Sequence, residues 1–295
     1  MNLIPDVIDF DLYLRETDHK VRVRKASEFA EDVATYIEKG AGLNGLKLPW
    51  EKTHLDVRIR PGELSLWAGI NGHGKSMILN QVALSLARQD AKVCIASMEM
   101  KPVTTMARAA RQAFGGIPER DWIVQFHKAT DDRIWLYDQQ GTVDSEKMIG
   151  VIRYAAAELG VDNFVIDSLL KCGIPEDDNT RQKDFVDQLT SLARDLDIHI
   201  HLVVHSRKQQ NEFSMPGKMD IRGSSSIADQ ADNVFSCWRN KAKEQNEAVD
   251  REDPDEIIRV DKQRNGEWEG QILLWFDKNS LQYMADPYEA PRKTW

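Results

Sequence analysis

The residues Gly69-Ile70-Asn71-Gly72-His73-Gly74-Lys75-Ser76 follow the spacing G-x-x-x-x-G-K-[ST], the pattern of a P-loop, which cradles phosphate. Glycines at 69, 72 and 74 let the backbone curl so that successive N–H groups, those of Asn71 and His73 among them, point at phosphate oxygens. A helix starting at the loop adds partial positive charge, and Lys75 is placed to reach the β- and γ-phosphates. The Ser76 hydroxyl can ligate Mg²⁺. The chemistry this predicts is binding of ATP, or another nucleoside triphosphate, with its magnesium ion. A glycine-rich turn that binds nothing would carry the same letters, but the flanks argue against it. Leu64 to Ala68 reads as a buried strand entering the loop. Ser76 to Arg88 reads as a helix leaving it, with Ile78, Leu79, Val82 and Leu86 on one face.

Hydrolysis needs more than a cradle. Asp167 ends the apolar run Phe164-Val165-Ile166, the form of a strand-end carboxylate that holds Mg²⁺ through water. An acid after a strand is commonplace, and its weight comes from the pairing with Lys75. Glu99 lies just past the strand Val93 to Ser97 that follows the P-loop helix. In a doubly wound sheet the carboxyl ends of strands converge, which places Glu99 beside the loop as a candidate general base; an ordinary solvated glutamate is the plain alternative. His205 ends the strand Ile198 to Val204 in the same way, where a polar side chain can feel the γ-phosphate and pass its state to the next loop. His199, His201 and His205 share one strand face, but no acidic or cysteine partner completes a metal site around them.

Two further stretches carry cations. The loop 206–220 holds Arg207, Lys208, Gln209, Gln210, Asn211 and Lys218, and runs into Asp220-Ile221-Arg222-Gly223-Ser224-Ser225-Ser226. Cations mixed with small residues suit a nucleic-acid backbone, although composition alone fits a solvated loop as well. Asp261-Lys262-Gln263-Arg264-Asn265-Gly266 puts two cations before an Asn-Gly turn between strands. Such a tip is exposed. It either carries Arg264 into a neighbour's nucleotide site as an arginine finger or simply adds solubility.

Positioning these groups takes a layered α/β domain. The chain has 295 residues, 41% of them hydrophobic, enough for one large domain with a full core. Strand-like runs at 64–68, 93–97, 134–137, 164–167 and 198–204 alternate with helical patterns at 76–88, 102–114, 144–159 and 180–196. That alternation predicts a mostly parallel, twisted sheet with helices on both faces. Strands at 234–238, 257–260 and 272–276 are expected to add an antiparallel C-terminal edge. Ahead of the core, residues 1–24 read as an arm, 27–39 as a helix capped by Ser27 and closed by Gly40, and 40–50 as a linker. The expected division is 1–50 for arm, helix and linker, and 51–295 for the ATPase core. The helix carries an apolar stripe of Phe29, Ala30, Val33 and Ile37, which packs either on its own domain or on a neighbouring subunit.

Charge and cysteine usage narrow the class. Lys and Arg total 39 against 48 acidic residues, a net charge of −9. This excludes a protein that coats nucleic acid with its whole surface, but not a channel lined by local cations. Cys94, Cys172 and Cys237 form no C-x-x-C pair and fit core thiols of a reducing compartment. No signal peptide opens the chain and no apolar run is long enough to span a membrane, so a cytoplasmic location without membrane contact is expected.

Taken together the motifs resemble the ATPase domain of the hexameric replicative DNA helicases of superfamily 4, the DnaB and Twinkle group, and especially the helicase half of bacteriophage primase-helicases. The resemblance rests on Gly69-to-Ser76, Ser97-Met98-Glu99-Met100, Val165-Ile166-Asp167-Ser168, Val203-Val204-His205, Asp220-Ile221-Arg222-Gly223-Ser224, Ala231-Asp232-Asn233 and Lys262-Gln263-Arg264-Asn265-Gly266. Their order and spacing are far more specific than the P-loop alone, and they cover about 55–285. The resemblance implies a RecA-like P-loop NTPase fold and a ring-forming, ATP-dependent motor. Such a motor moves along single-stranded DNA and separates strands in DNA replication, here of phage type. It implies Glu99 as catalytic base, Asp167 as the Mg²⁺ carboxylate and His205 as γ-phosphate sensor. It also implies that Arg222, Gly223 and Ser225 lie near DNA, and that Lys262 and Arg264 act across a subunit boundary. The implied partners are single-stranded or forked DNA, further copies of the chain in a hexamer, and a primase or loader protein. Bacterial members usually carry Gln at the position of His205; His is closer to the phage type. One departure is that no primase domain and no sizeable helical domain precede the core, so the 27–39 helix is the expected docking element.

Two other readings stay open on the residues. A RecA/RadA-like DNA-dependent ATPase would act in recombination or loading without unwinding, and strand displacement on a forked substrate separates it from a helicase. A P-loop kinase for a small molecule would want a phosphoacceptor lid. It would need neither the Arg-Lys pair nor the 206–226 loop.

Overall fold

In the computed structural model, which describes residues 2–4, 8–14, 25–38, 44–206, 225–245, 250 and 252–295, ten strands form one sheet. In chain order they are β1 (Asn2–Ile4), β2 (Leu64–Gly69), β3 (Val93–Ser97), β4 (Ile134–Tyr137), β5 (Asn163–Asp167), β6 (His199–His205), β7 (Asn233–Arg239), β8 (Glu256–Gln263), β9 (Gly270–Phe276) and β10 (Tyr283–Met284). Across the sheet the order is β1-β4-β3-β5-β6-β2-β7-β8-β9-β10. The pairings from β1 through β7 are parallel, and those from β7 to β10 are antiparallel. The expected mostly parallel sheet with an antiparallel C-terminal edge is the one that forms; β7 belongs to its parallel part, as a direct neighbour of β2.

The helices are α1 (Asp11–Leu14), α2 (Ala30–Glu38), α3 (Lys75–Arg88), α4 (Pro102–Phe114), α5 (Arg120–Ala129), α6 (Ser145–Leu159), α7 (Asn179–Leu196), α8 (Ser225–Gln230) and α9 (Lys241–Gln245). Helices cover both faces because the central strands are apolar on both. Leu64, Leu66 and Ala68 of β2 enter one core and Trp67 the other; Cys94 and Ala96 of β3 oppose Val93 and Ile95 in the same way. Successive strand residues point to opposite faces, so burial on both sides demands consecutive apolar residues. Met148, Val151 and Ile152 of α6 with Phe185 and Leu189 of α7 close the first face. Ile78, Leu79 and Val82 of α3 with Met106 and Ala109 of α4 close the second.

Several elements escape the sequence pattern. α5 buries only Phe126, whose ring stacks on Trp122 at 5.1 Å, so its periodicity is too short to stand out. In the stretch taken as an arm, β1 pairs in parallel with β4, and Phe10 is buried edge-on against Tyr137 and Tyr154. Gly150 admits that approach: a Cβ there would lie 2.9 Å from the Phe10 carbonyl oxygen. Leu48 and Trp50, in the stretch taken as linker, are buried, and Trp50 Nε1 donates to the Tyr283 carbonyl at 2.8 Å. The first long helix begins as a 3-10 turn, Ala26–Phe29, with Lys25 rather than Ser27 at its N-cap, and continues as α2; Gly40 lies outside the described residues. Phe29, Val33 and Ile37 on its stripe are 40%, 50% and 68% exposed.

The strand histidines are core groups. His199 Nδ1 lies 2.6 Å from the Arg60 carbonyl and Nε2 2.8 Å from Ser65 Oγ. Trp67 Nε1 donates to His201 Nδ1 at 3.3 Å. Burial holds both rings neutral, lowering the pKa of His199 from 6.5 to about 4 and that of His201 well below its usual value, the neighbouring His199 adding to the second shift. The unfolded chain protonates His199 near pH 6.5 and the folded chain only near 4. Its contribution is therefore complete above the higher value and is lost as pH falls toward the lower, up to about 3 kcal/mol. Glu63, Asp167 and Glu256, whose pKa values burial raises, act in the opposite sense and gain stability as pH falls. The expected result is a shallower loss of urea stability between pH 7 and 5 in His199→Gln than in the parent. Equal slopes would remove His199 as a source of acid sensitivity.

Candidate functional site

The parallel register brings four strand ends to one edge of the sheet. Gly69 of β2 pairs with His205 of β6, and Ser97 of β3 pairs with Asp167 of β5. This is the carboxyl edge, where open α/β sheets bind their ligands. The loop 69–76 leaves β2 here and feeds α3, with Gly74 at the N-cap in a left-handed conformation, φ 69°. Only glycine fits there, since a Cβ would sit 2.6 Å from Tyr283 Oη and 3.0 Å from Glu256 Oε2. At Gly69 a Cβ would lie 2.5 Å from the Cys237 carbonyl oxygen. Asn71 and Gly72 form the exposed tip, with open space around Gly72. His73 is buried, and its Nδ1 accepts the Arg239 N–H at 3.0 Å, tying the loop to the end of β7.

The charged groups converge on this loop. Lys75 Nζ donates to the carbonyls of Gly69 at 2.8 Å and Ile70 at 2.9 Å. Burial lowers its pKa, opposed by the negative charges of Asp167, Glu256 and Glu99 nearby. Asp167 is buried, and burial raises its pKa; Glu99 adds to that rise, while a hydrogen bond from Ser76 and the charges of Lys75 and Arg108 oppose it. Glu99 is exposed beside these groups, just after Met98, whose N–H donates to the Asp167 carbonyl at 3.1 Å. His205 Nε2 lies 3.3 Å from Ser168 Oγ, on the residue after Asp167. The hydroxyl of Ser76 and the carboxylate of Asp167 form a pair of hard oxygen donors, the set that suits Mg²⁺. Behind them lies a small, mostly apolar cavity of about 10 Å³ lined by Leu79, Ile95, Met100 and Val165 as well as Ser76, Ser97, Thr105 and Asp167, and the buried hydroxyls of Ser97 and Thr105 have no hydrogen-bond partner among the described residues.

The other expected site residues lie elsewhere. Arg264 and Lys262 are at the end of β8, beside Asp232 and the start of β2, because β8 runs antiparallel and pairs Gln263 with Asn233. The length of β2, roughly 17 Å, separates that end from the chain's own loop. Arg264 therefore does not reach its own Lys75. Ser225 opens α8, while Lys208, Lys218, Arg222 and Gly223 lie outside the described residues. Sequence spacing gave no signal for Arg239, Glu256 and Tyr283, which pack against the loop from 160 or more positions away. A cavity of about 780 Å³ lies between α3 and the C-terminal tail, and of these groups its lining includes Tyr283.

Comparison with known proteins agrees with this geometry. The fold is similar to a solved structure described as the ATPase domain of G40P, with a TM-score of 0.75 at 18% identity, covering 89% of this chain and 99% of that one. It is also similar to a DnaB-like replicative helicase solved to describe its interactions with primase, with a TM-score of 0.70 at 17% identity, covering 89% and 67%. The fold is thus the RecA-like one of helicase ATPase domains. The family described as DnaB-like helicase C terminal domain matches residues 53–285, which favours a helicase over a RecA/RadA-like alternative. With its P-loop, its strand-end acids and a match over most of its length, the chain belongs to the DnaB-like helicases and is an ATP-hydrolysing helicase by family.

Proposed function

We propose that this chain hydrolyses MgATP at sites completed between adjacent copies in a hexameric ring, and uses the energy to move along single-stranded DNA and open forked duplex. The observation that supports this most is the split of the constellation. Lys75, Glu99, Asp167 and His205 gather at one edge of the sheet, and Arg264 stands at the opposite edge of the same chain. A second copy, set edge to edge, supplies what the first lacks. The exposed Val33 and Ile37 of α2, with Phe29 in the turn before it, offer an apolar face for holding that copy.

Each residue has a role in this reading. The loop N–H groups from Gly69 to Ser76 hold the phosphates. Lys75 leaves the carbonyls of Gly69 and Ile70 for the β- and γ-phosphates, a stronger anionic partner. Ser76 and Asp167 hold Mg²⁺, which when bound neutralises phosphate charge. Glu99 orients and deprotonates the attacking water. His205, bridged to Asp167 through Ser168, senses the γ-phosphate at the start of the loop 206–226. In that loop Lys208, Lys218, Arg222, Gly223 and Ser225 meet the DNA backbone. Lys262 and Arg264 act on the neighbour's nucleotide. A primase or a loader is the expected protein partner.

Strand displacement on a forked substrate, with particle mass measured with and without an ATP analogue and single-stranded DNA, tests the whole. ATP-dependent displacement by hexamer-sized particles is expected; hydrolysis without displacement would overturn the motor. For the loop, Lys218→Ala and Arg222→Ala should each lower the log–log salt slope of single-stranded DNA binding by about 0.7. Unchanged affinity and slope in both would take the loop off the DNA path.

A further inference from the structure

The hairpin that carries Arg264 is fixed to buried polar groups on each side of that residue. Lys262 Nζ donates to the carbonyls of Ala228, Asp229 and Ala231 at 3.2, 2.8 and 2.7 Å, at the end of α8. Asn265 Nδ2 donates to Glu63 Oε1 at 2.7 Å, and the other Glu63 oxygen accepts from Asn233 Nδ2 at 2.8 Å. The Arg264 backbone N–H donates to the Asp232 carbonyl at 2.8 Å.

Asp232 does more than accept that hairpin. Its side chain is 2% exposed, and Oδ2 accepts the Leu64 N–H at 3.0 Å, which fixes the carboxylate to the first residue of β2. Oδ1 then meets Arg264 Nε at 3.0 Å and Arg194 Nη2 at 3.2 Å. Arg264 is thus gripped by the inner nitrogen of its guanidinium, while its side chain stays 45% exposed. Among the described residues, its Nη2 makes long contacts, 3.5 Å to the Asp229 carbonyl and 3.3 Å to that of Gln230. A guanidinium has five N–H donors in a rigid fork, so a grip at Nε leaves the outer nitrogens to exchange such weak contacts for phosphate oxygens.

We propose that Asp232 is the positioning residue of Arg264: its buried carboxylate holds Nε and presents the outer nitrogens to the phosphate of the adjoining subunit. This rests on the reading of Arg264 as a finger acting in trans. A long side chain fixed before the subunits meet has less freedom to lose in the transition state, and misplacement by about 1 Å costs on the order of 10²-fold.

The test is DNA-stimulated hydrolysis by the assembled full chain carrying Asp232→Asn. The amide keeps the shape and an acceptor for Leu64 but loses the charge that grips the guanidinium. We expect kcat to fall about 10- to 100-fold with KM for ATP little changed. The double variant Asp232→Asn/Arg264→Ala should be no slower than Arg264→Ala, because the carboxylate acts only through the guanidinium. Additive losses, or an unchanged rate in Asp232→Asn beside an impaired Arg264→Ala, would overturn the positioning role and leave the trans finger standing. An unchanged rate in Arg264→Ala would remove both. If Asp232→Asn does not assemble, Arg264→Lys carries the test. A lysine keeps the charge but cannot grip the carboxylate from one end of a fork and phosphate from the other, so kcat near the Ala level is expected. Parental kcat in Arg264→Lys would overturn the proposal.

Discussion

Arg264→Ala subunits are expected to bind ATP normally and to hydrolyse it about 10³-fold more slowly, or worse. The loss follows from where charge develops. As the γ-phosphoryl group leaves, negative charge spreads over its oxygens, and on the proposed reading a guanidinium lent by the neighbouring subunit would neutralise it. The isolated chain cannot substitute its own residue, because Arg264 stands at the far end of β2, held by Asp232. Mixing makes the expectation sharper. Lys75→Ala subunits lack the phosphate lysine of their own loop, and Arg264→Ala subunits lack the finger they lend. Each is inactive alone. In a mixed ring, an interface that pairs intact Lys75 with a neighbour's intact Arg264 is whole. ATPase activity should therefore return on mixing, while unwinding, which needs several coordinated sites, stays low. Confirmed subunit exchange without any return of hydrolysis would make Arg264 a surface cation on a hairpin.

Glu99→Gln should keep ATP affinity and lose about 10²- to 10⁴-fold in turnover. The amide has the shape of the carboxylate and still accepts one hydrogen bond from water, but cannot take its proton. Glu99 suits the task because it is exposed to incoming water yet close enough for its charge to act on both Asp167 and Lys75. Equilibrium binding of a fluorescent ATP analogue and single-turnover hydrolysis separate the two effects. Lys75→Ala supplies the contrast, since it removes the charge partner of the γ-phosphate and should abolish hydrolysis. A Glu99→Gln enzyme turning over at the parental rate would show that another group activates the water.

Short-range chemistry was legible in the chain itself. The P-loop, the apolar runs of β2, β3, β5 and β6, and the helices α3, α4, α6 and α7 follow from period and capping, which act over a few residues. Burial of both strand faces then implies a parallel sheet, and a parallel sheet aligns carboxyl ends; on that ground alone Glu99, Asp167 and His205 were expected beside Lys75. What depends on distant residues was not legible. α5 buries a single side chain, and β1 is a three-residue strand without a pattern of its own. Arg239, Glu256 and Tyr283 reach the loop only because the chain returns as β7 beside β2 and then builds the antiparallel edge β8-β9-β10 outward from it, and no local spacing encodes that approach. The same holds for Arg264. Sequence marks it as a cation near a turn, but the antiparallel run of β8 decides that it ends beside Asp232, on the edge away from its own nucleotide loop. The reason is physical. Periodicity is set by neighbours along the chain, whereas the partner of a side chain is set by register between strands far apart in sequence.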